Sequence, residues 1–120
     1  MPFLQPRSDG VVLDGSGNGQ VSFVIDNTNV RWIIDQVNVA TSQPDNSIPV
    51  PRGDVYLNQV APQNWEGGTS SGNRDIATGR SILYAGDVLY VVWTGGRPGD
   101  TATAIIRGTF DPAGVPIQDR

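Results

Sequence analysis

Glycine and proline interrupt this chain so often that no window of a dozen residues holds a helical repeat; 15 Gly and 9 Pro fall among 120 positions. Between the breaks β-branched residues dominate, with 14 Val, 9 Ile and 8 Thr against 5 Leu. Such side chains are stiff at χ1 and suit a pleated, half-buried surface better than a helix. Apolar residues recur at every second position in short runs bounded by turn residues, the pattern of an all-β sandwich or barrel. The expected fold class is all-β, a single antiparallel β-sandwich of jelly-roll or Greek-key type with seven or eight strands and extended terminal arms.

The runs place the strands. Val11 to Leu13 is followed by the turn Asp14-Gly15-Ser16-Gly17-Asn18-Gly19 and a strand at 20–26, where Val21, Phe23 and Ile25 share a face. In the long strand 30–41 the alternation breaks. Val30, Trp32 and Ile34 share one face, but Val37 and Val39 fall on the other, so the phase switch near Asp35-Gln36 calls for a β-bulge or a strand that changes sheet. Residues 42–51 are a proline-rich loop, 54–60 a strand, and 61–75 the longest irregular stretch. A short strand at 80–84 precedes 88–94, an apolar run suited to a central strand, and Gly95 to Asp100 closes a hairpin with 101–110. The resulting organisation is an N-terminal arm at 1–10, a sandwich domain at 11–110 and a C-terminal arm at 111–120.

The alphabet of the chain excludes most chemistry. It has no His, no Cys and no Lys, and its only Glu is Glu66. Acid–base shuttling by imidazole, thiolate nucleophiles and zinc sites, disulfides, Schiff bases and P-loops are all removed. At 12.8 kDa one core must suffice without staples, and a chain of this size buries roughly two thirds of its unfolded surface. The lack of Cys fits a reducing compartment, and the opening MPFLQPRSDG has neither the apolar run of a signal peptide nor, like the rest of the chain, that of a membrane span. A net charge of −4 without a basic stripe opposes nucleic-acid binding. All eight cations are Arg, which fits a GC-rich genome first, the functional alternative being the preference of interfaces for Arg.

Candidate sites are few. The turn at Asp14 has the opening spacing of a calcium loop, but Ile25 stands where the bidentate Glu belongs and strands flank it, so a tight hairpin turn is the expectation. Gly95 to Asp100 opens no helix to cradle an anion. Arg52-Gly53-Asp54 spells an integrin-type tripeptide, by chance in a chain rich in these residues. Glu66 and Asp75 lie together on the long loop, but no protease or hydrolase signature accompanies them, and no catalytic residue, cofactor or metal site is expected. Trp32 and Trp93 fall inside strands and belong to the core. Trp65 falls in the polar loop, where it either lids the sandwich, contacts another subunit or stacks on a sugar, with Tyr56 or Tyr84 as helpers. Phe3 and Leu4 in one arm, and Val115 and Ile117 in the other, are apolar residues outside any expected strand and point to docking on neighbouring chains. Together with Trp65, Arg74 and Arg97 they form the candidate interface.

Residues 72–109 carry a resemblance. The segments Gly72-Asn73-Arg74-Asp75, Ala85-Gly86-Asp87, Trp93-Thr94-Gly95 and Pro98-Gly99-Asp100-Thr101-Ala102-Thr103-Ala104 occur in the order and setting in which short β-rich virion proteins of tailed bacteriophages of actinobacteria carry G-N-x-D, A/P-G-D/E, W-T-G and P-G-x-x-A-T-A. With the strand around Val30 to Ile34, which fits less specifically, the resemblance covers roughly two thirds of the chain. It implies a non-enzymatic β-sandwich subunit, either a minor tail protein or a capsid decoration protein, assembled in the host cytoplasm. Its partners would be copies of itself and other virion proteins. The alternative from another class is a carbohydrate-binding module for host surface glycan, with Trp65 as the contact.

Overall fold

In the computed structural model, which describes residues 3–24, 30–43, 50–69 and 74–112, the alternating runs become eight strands. They are β1 (Phe3–Val12), β2 (Gly19–Val24), β3 (Val30–Thr41), β4 (Arg52–Leu57), β5 (Trp65–Gly68), β6 (Arg74–Leu83), β7 (Val88–Thr94) and β8 (Thr101–Pro112), with a single 3-10 turn at Pro62–Asn64. One antiparallel sheet has the order β1-β8-β3-β6 and the other β2-β7-β4-β5. Every connection except β4 to β5 carries the chain from one sheet to the other. This is the wiring of an eight-stranded jelly roll, two Greek keys wrapped face to face.

That wiring corrects two expected hairpins. The turn at Asp14 joins β1, which pairs with β8, to β2, which pairs with β7. The loop Gly95 to Asp100 likewise joins β7 of one sheet to β8 of the other. Both are crossings between sheets. Period-two alternation marks the buried face of a strand but is blind to its partner, so a crossing and a hairpin look alike in sequence.

The expected N-terminal arm at 1–10 is also revised, because Phe3 to Gly10 belongs to β1. Phe3 and Leu4 pair with Thr109 and Gly108, and the register shifts between Leu4 and Arg7. Pro6 falls inside that shift on an edge strand, one of the few places a sheet accepts a residue without an N–H. Of the expected C-terminal arm, Asp111 and Pro112 complete β8, while Val115 and Ile117 lie outside the described residues. The stretch 61–75, expected to be irregular, contains the 3-10 turn, β5 and the start of β6. Strand β5, Trp-Glu-Gly-Gly, is a short edge with no buried residue and hence no alternation to find.

The core lies between the sheets. Leu89, Val91 and Trp93 of the central β7 are completely buried, as are Ala102, Ala104 and Ile106 of the central β8. The same core takes the large Trp93 and the small Ala102 and Ala104, and close packing needs such a mix of sizes. Trp32 closes the core at its rim beneath the Arg7 guanidinium, whose Cζ lies 4.6 Å from the ring centroid.

The phase switch in β3 is a bulge, and β3 stays in one sheet throughout. Its register slips between Ile34 and Gln36 against both β8 and β6, with Asp35 the extra residue against β8. The slip returns Val37 and Val39 to the core side already occupied by Trp32 and Ile34. Opposite it stands Gly108, where any Cβ would fall on the Ile33 carbonyl oxygen.

Candidate functional site

Strand β4 turns Val55 into the core, so Arg52, Asp54 and Tyr56 share its outer face. On β7 the inward set is Leu89, Val91 and Trp93, which leaves Tyr90 and Val92 outside. The register sets Tyr56 directly opposite Tyr90 on one side and Trp65 on the other, with Ser22 beyond Tyr90. A row Trp65–Tyr56–Tyr90–Ser22 therefore runs across the sheet from β5 to β2. At about 4.8 Å per strand, the three aromatic positions span about 10 Å. Both tyrosines are half-buried, and Trp65 is 48% exposed.

Trp65 is held in place rather than loose. Its Nε1–H donates to Asp54 Oδ1 at 2.9 Å, and Arg52 Nε donates to Asp54 Oδ2 at 2.8 Å. The Asp54 side chain is 9% exposed and that of Arg52 67%. The hydrogen bond to Asp54, and secondarily the carboxylate's charge, raise the Arg52 pKa further above its ordinary value. Gly68 makes the arrangement possible, since a Cβ there would lie 2.7 Å from Asp54 Oδ1 and 3.3 Å from Trp65 Cζ2.

The loop that delivers Trp65 is pinned as well. Asn58 adopts φ 68°, a left-handed conformation that Asn tolerates better than most residues. From there its Oδ1 accepts from Val88 N–H, its Nδ2 donates to Asp87 Oδ1, and its backbone N–H donates to the Val88 carbonyl. Asn64 Nδ2 donates to the Leu57 carbonyl across the same loop.

At the other end of the sandwich the two crossing loops form one unit. Gly96 N–H donates to the Gly17 carbonyl, Gly95 N–H to Asn18 Oδ1 and Gly99 N–H to the Leu13 carbonyl. These three amides are engaged within the fold. Asp14 Oδ1 accepts from Ser16 and Asn18 N–H, and those bonds, Asn18 first, lower its pKa. Asp100 accepts two hydrogen bonds from Arg97 and one from Ser42 Oγ. Its pKa is lowered, chiefly by the Arg97 hydrogen bond.

The positions singled out in sequence are thus sorted. Trp65 and Tyr56 come together as cross-strand neighbours, while Tyr84 sits on the turn between β6 and β7, away from the row. Arg97 is committed to Asp100. Arg74 begins β6 opposite Ala40. Glu66 and Asp75 fall on strands of different sheets. In Arg52-Gly53-Asp54 the two charged residues pair with each other on a strand instead of capping an exposed loop. Among the described residues no group of three Asp or Glu is placed to hold a metal ion. Tyr90 was missed in sequence because the run 88–94 is almost uniformly apolar; counting every second residue back from Trp93 puts it on the outer face.

Compared with known proteins, the chain matches no family model, no curated protein and no solved structure.

Proposed function

We propose that the chain is a non-enzymatic structural subunit of a tailed-bacteriophage virion, a minor tail or capsid decoration protein that self-associates and docks on neighbouring virion proteins. The observation that carries this reading is the strand order β1-β8-β3-β6 over β2-β7-β4-β5, an architecture widely used by capsid domains and lectins. The sequence resemblance over 72–109 supports it, and two of the quoted motifs are fold-setting elements here. Ala85-Gly86-Asp87 is the β6–β7 turn, in which Asp87 Oδ2 accepts from Tyr84 N–H. Pro98-Gly99-Asp100 ends the crossing loop, where Asp100 ties β8 to Arg97 and Ser42.

Quantitative mass spectrometry of purified particles from a phage encoding this chain tests the proposal, together with light scattering of the purified protein alone and with candidate virion partners. A fixed copy number per particle and a defined oligomer are expected. A strictly monomeric protein absent from the particle would overturn it.

A further inference from the structure

We infer that the outer face of the β2-β7-β4-β5 sheet is a carbohydrate-binding platform, on which the rings of a neutral polysaccharide chain stack along Trp65, Tyr56 and Tyr90. The inference does not depend on the chain being a virion protein.

A pyranose ring has an apolar C–H face and a rim of hydroxyls, so it needs a flat aromatic surface edged by hydrogen-bonding groups. The row supplies the surface over about 10 Å, enough for successive sugars of one chain. Its orientation is set before any ligand arrives. Trp65 leaves 48% of its surface in solvent while its only side-chain donor, Nε1–H, is already satisfied by Asp54. An exposed indole fixed in this way loses little freedom on binding, which favours affinity.

The edges supply the polar groups. Arg52 donates Nε–H to Asp54 and keeps its side chain 67% exposed, so the guanidinium is within reach of hydroxyls on a bound chain. Thr94 stands opposite Arg52, and Ser22 closes the row at Tyr90. Protein interfaces also favour Tyr, Trp and Arg, so a self-contact through this face is tested alongside saccharide binding. Unpaired bases also stack on aromatic rows, but a chain of net charge −4 repels a phosphate backbone.

Tryptophan fluorescence tests the inference directly, because Trp32 and Trp93 are buried and only Trp65 reaches solvent. The purified chain is titrated with cellohexaose, laminarihexaose, mannohexaose and galactohexaose, and with a ten-residue oligothymidylate. At least one saccharide is expected to shift the emission saturably. Calorimetry with that saccharide is then expected to show binding weakened about tenfold or more in Trp65→Ala and Tyr90→Ala, and unchanged in Arg107→Ala on the other sheet. Near-UV circular dichroism checks each fold, with Tyr90→Leu, which keeps apolar bulk without the ring, replacing any variant that fails. No response to any saccharide at millimolar concentration from the folded protein would overturn the inference. So would binding unaffected by the loss of Tyr90, binding of the oligothymidylate alone, or Tyr90→Ala turning an oligomer into a monomer, which would make the face a self-contact.

Discussion

The Trp65 indole donates its N–H to Asp54 Oδ1 from the neighbouring strand, 2.9 Å away, while the second Asp54 oxygen takes the Arg52 Nε–H. One nearly buried carboxylate thus sets both an exposed ring and an exposed cation. Replacing it with Ala leaves the indole N–H without its acceptor and Arg52 without its counter-charge. Asp54→Ala is expected to cost about 1–3 kcal/mol in urea unfolding and to shift the Trp65 emission to the red. Asp54→Asn keeps one acceptor oxygen and should lose less on both measures. An Ala variant as stable as the parent would show that the indole is held by packing alone.

Exposure separates the three tryptophans more sharply than sequence position does. Trp93 is 0% exposed, Trp32 3% and Trp65 48%. Acrylamide should therefore quench a single accessible class in the native protein, and Trp65→Phe should abolish that class while leaving the buried emission. A quenchable fraction that survives Trp65→Phe would mean the sandwich opens at one of its core tryptophans.

The bulge in β3 depends on a residue in another strand. A Cβ on Gly108 would occupy the place of the Ile33 carbonyl oxygen, which is backbone and cannot rotate away. Gly108→Ala is expected to destabilise by about 3 kcal/mol or more, or to prevent folding. Gly67→Ala is the control, since a Cβ there meets nothing within 4 Å; denaturant unfolding of the two variants side by side gives the comparison.

Strand β3 also shows what a single sequence can reveal. The bulge was legible because it moves the apolar residues from one parity to the other, Trp32 and Ile34 before it and Val37 and Val39 after it. Gly108 was not legible as its partner, because the pairing of β8 with β3 is a long-range fact that no local pattern encodes. The same division holds at the site. The loop position and type of Trp65 marked it as unusual, but the company it keeps comes from register. Tyr90 lies far along the chain in a run that reads as core, and Asp54 belonged to a tripeptide explained by composition. Local alternation carries the face of each residue, and pairing decides its neighbours.

Asn58 sits at φ 68° and links the loop before Trp65 to the turn before β7. Asn58→Gly relieves the backbone but loses both side-chain hydrogen bonds, whereas Asn58→Ala loses them and keeps the strain. Thermal unfolding should rank the variants parent, then Gly, then Ala, with Ala lower than the parent by about 1–2 kcal/mol. Equal stability of Gly and Ala would assign the whole effect to the hydrogen bonds.

The pH dependence follows from what the alphabet lacks. With no His, Cys or Lys, few groups titrate between about pH 5 and 9, the α-amino group among them, and unfolding midpoints should be nearly flat there. Below that range two aspartates act together. Asp100 is held under the usual carboxylate value chiefly by the Arg97 hydrogen bond, and Asp14 by its backbone N–H donors, Asn18 and then Ser16. A folded pKa below the unfolded one means the unfolded chain takes up protons first as the solution is acidified. The stability these groups contribute is therefore complete above their ordinary value of about 3.9 and is lost as pH falls through their lower folded values. Arg97 moves the opposite way, its pKa raised by the same hydrogen bond, so it stays charged throughout. Asp100→Asn should lower the urea midpoint at neutral pH and flatten its fall under acid. If the parent curve is as flat at about pH 3 as at 7, these carboxylates add nothing to the stability of the two loops.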